Sequence, residues 1–401
     1  MSQPTEAAPT VIRPPSPVPL REIALRWGRI GVTGFGGPPA HIALLRRLCV
    51  QQRGWIAADE FEDAIAACNL LPGPASTQLA IWCGWRLRGR RGALVAGACF
   101  IAPGLVLIVA LSALFLAAHP PLLVLGAAAG AGAAVPAVAV HAAWSLAPAS
   151  WQRIQAGAPD VTGRAARARW IGYALFGGAA AALAGPFLVL VLLGCGLAEV
   201  AVRARSSGAV RAFLPLALPA TASAGGLIAL VWEAFKVGAL SYGGGFVIIP
   251  LMQHDAVHTY HWMTNAQFLD AVALGQVTPG PVVLTTAVVG FAAASYTGSL
   301  VAVAVAFSPS FVFILVGAPR FDRLRGNPRI QAFLTGAGPS VIGGITGSAI
   351  PLTLALGHRW QYGLLPAAAL WLLAARRGVV SALLLAGACG VIAAVAGLPV
   401  S

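Results

Sequence analysis

Residues Asn69 to Gln78 read NLLPGPASTQ. The stretch lies inside an otherwise apolar segment, and two prolines around a glycine break a helix there. Lipid tolerates a broken helix poorly, because freed N–H and C=O groups find no water. The break recurs in the second half as QVTPGPVVLT, Gln276 to Thr285. A helix break placed twice in apolar sequence predicts backbone that lines a cavity rather than facing lipid.

The chain around these breaks has 401 residues, 58% of them hydrophobic and 9% charged, with a mean hydropathy of +0.81. Soluble proteins carry about a quarter charged residues. Apolar runs such as Ala93 to Ala118 and Leu122 to Val140 match the ~20 residues that span a bilayer. The expected fold class is an all-α polytopic membrane protein embedded in the lipid bilayer. The first 19 residues are Pro-rich without an apolar core, and read as a disordered cytoplasmic tail rather than a cleaved signal. The net charge of +14 is spread over short inter-helix loops, as the positive-inside rule expects, so nucleic acid is rejected as a partner. Six cysteines without CxxC spacing read as buried hydrophobes, with no disulfide, metal or other cofactor.

A shift of 207 positions lays the chain on itself. Gly31 meets Gly238, Gly36-Gly37 meets Gly243-Gly244, Trp55 meets Trp262, and Pro72-Gly73-Pro74 meets Pro279-Gly280-Pro281. The chain divides into the tail 1–19, repeat one at 20–148, connecting helices and basic loops at 149–225, repeat two at 226–356, and C-terminal helices at 357–401. Arginine decides the relative orientation. Arg46, Arg47, Arg53 and the run WRLRGRRG (85–92) have no basic counterparts in repeat two, whereas PRFDRLRGNPR (319–329) answers an uncharged loop in repeat one. Equivalent loops therefore face opposite sides, which is an inverted repeat of the kind found in secondary transporters.

This map makes residues 61–85 a re-entrant helical hairpin and 30–45 a second re-entrant turn, both entered from the cytoplasm. Their mirror pair is 268–292 and 238–251. Full spans fall near 92–118, 121–148, 170–185, 186–202, 212–232, 299–318, 331–356, 361–375 and 378–398. The N-terminus is then cytoplasmic and the C-terminus outside. Residues 18–30 are too charged to span and read as an amphipathic interfacial helix.

A hairpin tip at mid-membrane exposes backbone dipoles. Gly73 suits a helix N-cap and Pro74 the first helical position, leaving the amides of Ala75, Ser76 and Thr77 aimed at the tip. Gly37 before Pro38, the Gly243–Gly245 run, and Gly280 with Pro281 offer similar ends. Each helix N-terminus carries about half a positive charge and attracts oxyanions. Candidate substrate-binding residues are Gly36, Gly37, Asn69, Gly73, Pro74, Ser76, Thr77, Gly243, Gly244, Gln276, Gly280, Pro281 and Thr285.

The alternative reading makes these elements simple kinks, with Asn69 and Gln276 bonding freed carbonyls. Arg29 and Lys236, the only lysine, align before the Gly-rich motifs, as vestibule charges or as snorkelling side chains. Asp63 and Asp270 align as proton carriers or as first-turn capping residues; Thr264 and Gln267 form a capping box ahead of Asp270. His254, His258 and His261 read as a surface loop rather than a metal site.

GVTGFGGPPAHIALLRR (31–47), Trp55 and LLPGPAST (70–77), repeated as VGALSYGGGFVIIPL (237–251), Trp262 and VTPGPVVL (277–284), resemble the chromate ion transporter family in its long two-domain form. The resemblance implies a multi-pass protein of the bacterial inner (plasma) membrane that exports chromate, with sulfate as a competitor. Sulfate or another tetrahedral oxyanion as the substrate, or an anion channel, is the alternative, and monomer or homodimer stays open. The two halves are unequal: SYGGGF lacks the proline after FGG, and the tips continue as AST and VVL. An enzyme is disfavoured, since neither HExxH nor GxSxG occurs. No Walker A motif is present, so the membrane potential is the expected driver.

Overall fold

The computed structural model describes residues 18–69, 71–156, 163–183, 188–206, 226–241, 245, 248–318 and 327–400. Repeat one is built from α1 (Leu20–Thr33), α2 (Pro38–Arg46), α3 (Ala58–Cys68), α4 (Ala75–Phe115) and α5 (Leu122–Ala156). Two linking helices follow, α6 (Gly163–Leu183) and α7 (Leu188–Ser206). Repeat two holds α8 (Leu227–Leu240), α9 (Ile249–Gln253), α10 (Asn265–Val277), α11 (Thr285–Gly317) and α12 (Pro328–Leu354). The C-terminal pair is α13 (Arg359–Ala369) and α14 (Val379–Val395). The protein is an all-α polytopic membrane protein.

The repeats correspond element by element. α1 maps onto α8, and the π-helical turn Arg47–Gln52 maps onto His254–Thr259. In both halves the helix after the tip folds back on itself. Non-helical backbone at Arg88-Gly89 reverses α4, and Ala294-Ser295 reverses α11. The reversal needs positive φ, 58° at Gly89 and 54° at Ser295. The arms cross at glycines, Gly84 on Gly92 and Gly290 on Gly298, where an added Cβ would collide with the facing backbone. The helix after each tip therefore turns back and continues into a second long apolar arm.

Small residues set the other close approaches, as in many membrane bundles. α14 meets α5 where Gly390 and Ala386 face Gly126 and Gly130. α12 meets α6 through Gly343 on Ala174 and Gly347 on Gly178. Large apolar side chains remain on the outside, among them Val106, Leu175, Leu354 and Val395, and lipid is the solvent that suits them.

Among the described residues, Ala75–Phe115, Leu122–Gln155 and Val282–Gly317 are long and apolar enough to cross a membrane, and Val379–Val395 is a shorter apolar helix. These are fewer than the nine crossings expected from the sequence. The expected span 212–232 and the tail lie largely outside the described residues.

The amphipathic helix expected over residues 18–30 is present as α1, which docks on α4 by burying Ile23, Trp27 and Ile30 and leaves Arg21 and Arg29 exposed. The Trp27 indole donates to the Ala80 carbonyl at 2.9 Å. α8 docks on α11 in the same way, so α1 is a structural part of its repeat. One expectation needs correction: the stretch holding His254 and His258 is no surface loop but continues α9 as a π-helical turn, with Asp255, Ala256 and Val257 buried.

Candidate functional site

Gly73 and Gly280, the centres of the two Pro-Gly-Pro motifs, both have φ of 118°, a conformation that suits glycine. The Gly73 amide donates to the Ser241 carbonyl at 2.7 Å, and the Gly280 amide donates to the Gly34 carbonyl at 3.1 Å. Ser241 and Gly34 are equivalent, each just after the first helix of its repeat. Each tip therefore hangs on the chain break of the other half.

Helix α4 starts one residue later than the sequence suggested. Pro74 is the N-cap and Ala75 the first helical residue. Its carbonyl accepts from the amides of both Thr77 and Gln78, at 2.9 and 3.0 Å. The expected free amide of Thr77 is therefore engaged, which leaves those of Ala75 and Ser76. In repeat two the chain first makes a 3-10 turn, Val282–Leu284, and α11 begins at Thr285. The hydroxyls of Thr285 and Thr286 are taken by the carbonyls of Val282 and Val283.

The two tips differ in polarity. Around Gly280 stand Val282, Val283 and Leu284, all buried. Around Gly73 the side chains are polar. A Cβ on Gly73 would lie 3.0 Å from Ser310 Oγ and 2.5 Å from Gln78 Nε2. Gln78 Nε2 donates to the Pro72 carbonyl at 2.6 Å. Two of the side chains beside Gly73 carry a buried polar atom with no hydrogen-bond partner among the described residues, Gln78 Oε1 and Ser310 Oγ. Thr77 Oγ1, Gln276 Nε2 and Ser241 Oγ are unpartnered too, the last on the side of Gly245, Val282 and Val283. Buried polar groups are nearly always satisfied, so such a pair is what a polar ligand would complete. Ser310 is where repeat one has Gly104, which instead abuts the Pro279 carbonyl.

Ser76 is also buried, with its Oγ 3.2 Å from Nδ1 of His41. The other ring nitrogen, Nε2, lies 2.8 Å from the Gly34 carbonyl. His41, Gln78, Ser241 and Ser310 were not singled out from the sequence. One signal was present: each is a polar residue where the other repeat, or its own apolar helix, has a small or aliphatic one.

The other candidates are scattered. Asn69 caps the C-terminus of α3 and is exposed. Gly37 is the N-cap of α2, with φ 74°, and Gly36 beside it is exposed. Gly243 and Gly244 lie outside the described residues; the adjacent Gly245 packs against Val282 and Val283. Asp63 and Asp270 are in the second turns of α3 and α10, not the first, so neither caps its helix. The cap of α10 is the Thr264–Gln267 box. Asp270 instead faces Gly132 of α5, whereas Asp63 is exposed. Arg29 is exposed, but Lys236 is held by the carboxylates of Glu233 and Asp255. The two aligned cations therefore occupy different environments.

Comparison with known proteins fits this architecture. The family described as Chromate transporter matches residues 21–200 and 228–394, one segment in each half. A chromate transport protein of Pseudomonas aeruginosa is 31% identical over 366 residues, covering 89% of this chain and 86% of its own. One from Cupriavidus metallidurans is 30% identical over 345 residues, covering 83% and 82%. No solved structure matches the chain. With both halves matched and such relatives aligned over most of their length, the chain belongs to the chromate transporter family.

Proposed function

We propose that this protein exports chromate from the cytoplasm across the inner membrane, as a secondary transporter driven by the membrane potential. The anion sits at the tip of repeat one. The observation that carries this reading is the pair of buried, unpartnered polar atoms beside Gly73, Ser310 Oγ and Gln78 Oε1. Ser310 supplies a hydroxyl donor there, the unpartnered hydroxyls of Ser241 and Thr77 are further donors close in the fold, and the first-turn amides of α4 add the helix-end charge. The tip of repeat two, with its valines and leucine, serves as an apolar wall.

The names of the relatives support chromate as the cargo. Sulfate shares its tetrahedral shape and charge and is the expected competitor. The arginine pattern supports an inverted arrangement, with the N-terminus in the cytoplasm.

Energetics support a potential-driven cycle. One charge moved through 100 mV is worth about 2.3 kcal/mol, so a dianion leaving a negative interior gains about 4.6 kcal/mol. That sustains a concentration ratio above about a thousandfold. The test is chromate flux in Ser310→Ala and Gly73→Leu. Wild-type kinetics in both would move the site away from this tip.

A further inference from the structure

The ring of His41 is fully buried, and its hydrogen bonds can be assigned. The Gly34 carbonyl, 2.8 Å from Nε2, can only accept. Nε2 therefore carries the proton, and in the neutral ring Nδ1 is left with a lone pair. The Ser76 hydroxyl, 3.2 Å from Nδ1, must then donate to it. The edge-on contact with Phe100, centroids 5.0 Å apart, holds the ring plane. Gly34 is needed for this approach, since a Cβ there would lie 2.7 Å from Cδ2 of the ring.

In this arrangement the single proton of Ser76 points away from the tip. A bound anion would meet only the lone pairs of that hydroxyl, which repel it. A protonated ring reverses the pattern: Nδ1–H donates to Ser76, and the Ser76 proton is released to turn toward the tip. A bound oxyanion favours this state twice, by its charge beside the ring and by accepting the released hydrogen bond.

We propose that His41 takes up a proton when the oxyanion occupies the repeat-one tip, and so turns Ser76 from a donor to the ring into a donor to the anion. The proton comes from bulk water and no covalent bond changes; when it leaves with the anion, one net charge moves instead of two, so the potential still drives export but with half the force per anion. This rests on the placement of the anion at that tip. The second repeat cannot do the same, because Ile248 and Val283 stand where His41 and Ser76 stand in the first. The helices packed around the ring, α1, α2 and α4, bring Gly34, Ser76 and Phe100 to it. No described charged side chain acts on it. The anion is thus the charge that decides its protonation.

The test is calorimetric titration of chromate into the full-length protein in lipid nanodiscs, between about pH 7 and 8. Two buffers of different ionisation heat report the protons taken up. His41→Gln is the comparison: its amide can donate to Gly34 and accept from Ser76, copying the neutral ring, but it cannot take a proton. Subtracting the variant also cancels the protonation of chromate itself. The expected result is extra uptake in the wild type, toward one proton per anion. Wild-type affinity relative to His41→Gln should rise by up to about tenfold per unit fall in pH.

Equal uptake in the two proteins overturns the proposal. So does wild-type uptake fully explained by free chromate, a result that needs no variant to fold. Gly73→Leu separates this from the site itself. If that variant binds chromate normally, the tip is not the site. If it loses binding while uptake is independent of His41, the tip stands and only the proton assignment falls.

Discussion

The amide of Gly73 lies 2.7 Å from the carbonyl oxygen of Ser241, on the opposite repeat. Its partner contact, Gly280 to Gly34, is the same bond with the repeats exchanged. Two polar backbone groups freed by a helix break are satisfied by another helix break. Such breaks are stable in a membrane when buried in protein, out of reach of lipid. The same packing brings Ser310 of repeat two beside Gly73 of repeat one, where a ligand can meet both halves.

Strain at the two tips should be equal, but its effect on transport should not. Gly73→Ala and Gly280→Ala each place a side chain at φ 118°, at a cost of about 1–3 kcal/mol. Thermal unfolding in detergent should show similar losses for both. Only the methyl at position 73 points at Ser310 and Gln78. Chromate affinity should fall in Gly73→Ala and hold in Gly280→Ala, as read by binding at a temperature where both are folded.

Hydroxyls without an internal partner should matter to substrate and not to stability. Ser310→Ala and Ser241→Ala should each weaken chromate binding by about 1.5–3 kcal/mol, the scale of a hydrogen bond to a charged group. Their melting temperatures should stay near wild type. Thr285→Ala is the contrast, because its hydroxyl already bonds the Val282 carbonyl at 2.9 Å. It should leave affinity unchanged.

The contrast between these serines and the tips shows what the sequence can reveal. The breaks at Pro72-Gly73-Pro74 and Pro279-Gly280-Pro281 were legible because proline and glycine act locally, and because the chain states them twice. Docking of α1 was not legible. Its arginines suggested an interface, while Trp27 and Ile23, which bury it, look like any apolar face. Ser310 and Ser241 reach Gly73 only through tertiary packing across more than 160 residues of chain, which no local pattern encodes. The N-cap shift from Gly73 to Pro74 is a one-residue matter of ψ that composition cannot fix.

Opposite orientation of the repeats predicts opposite labelling. In a cysteine-free background, single cysteines replace Arg90 and Tyr296, both exposed and just past the reversals of α4 and α11. An impermeant thiol reagent should reach position 90 only from the cytoplasm and position 296 only from the periplasm. Labelling of both from one side would end the inverted-repeat reading.

The aligned aspartates should be dispensable for transport. Asp63 is exposed on α3, and Asp270 packs against Gly132, away from the polar tip. Asp63→Asn with Asp270→Asn should keep potential-driven chromate flux. Complete loss of flux in a normally folded double variant would instead make them proton carriers.

Labelled chromate uptake into inside-out vesicles, with an imposed potential and no pH gradient, bears most directly on the whole reading. A lumen-positive potential should drive uptake in the wild type, sulfate should compete, and Gly73→Leu should abolish it. Collapsing the potential at a constant pH gradient should stop the flux. Uptake that persists at zero potential and follows the pH gradient, or that survives Gly73→Leu with wild-type kinetics, would contradict the account.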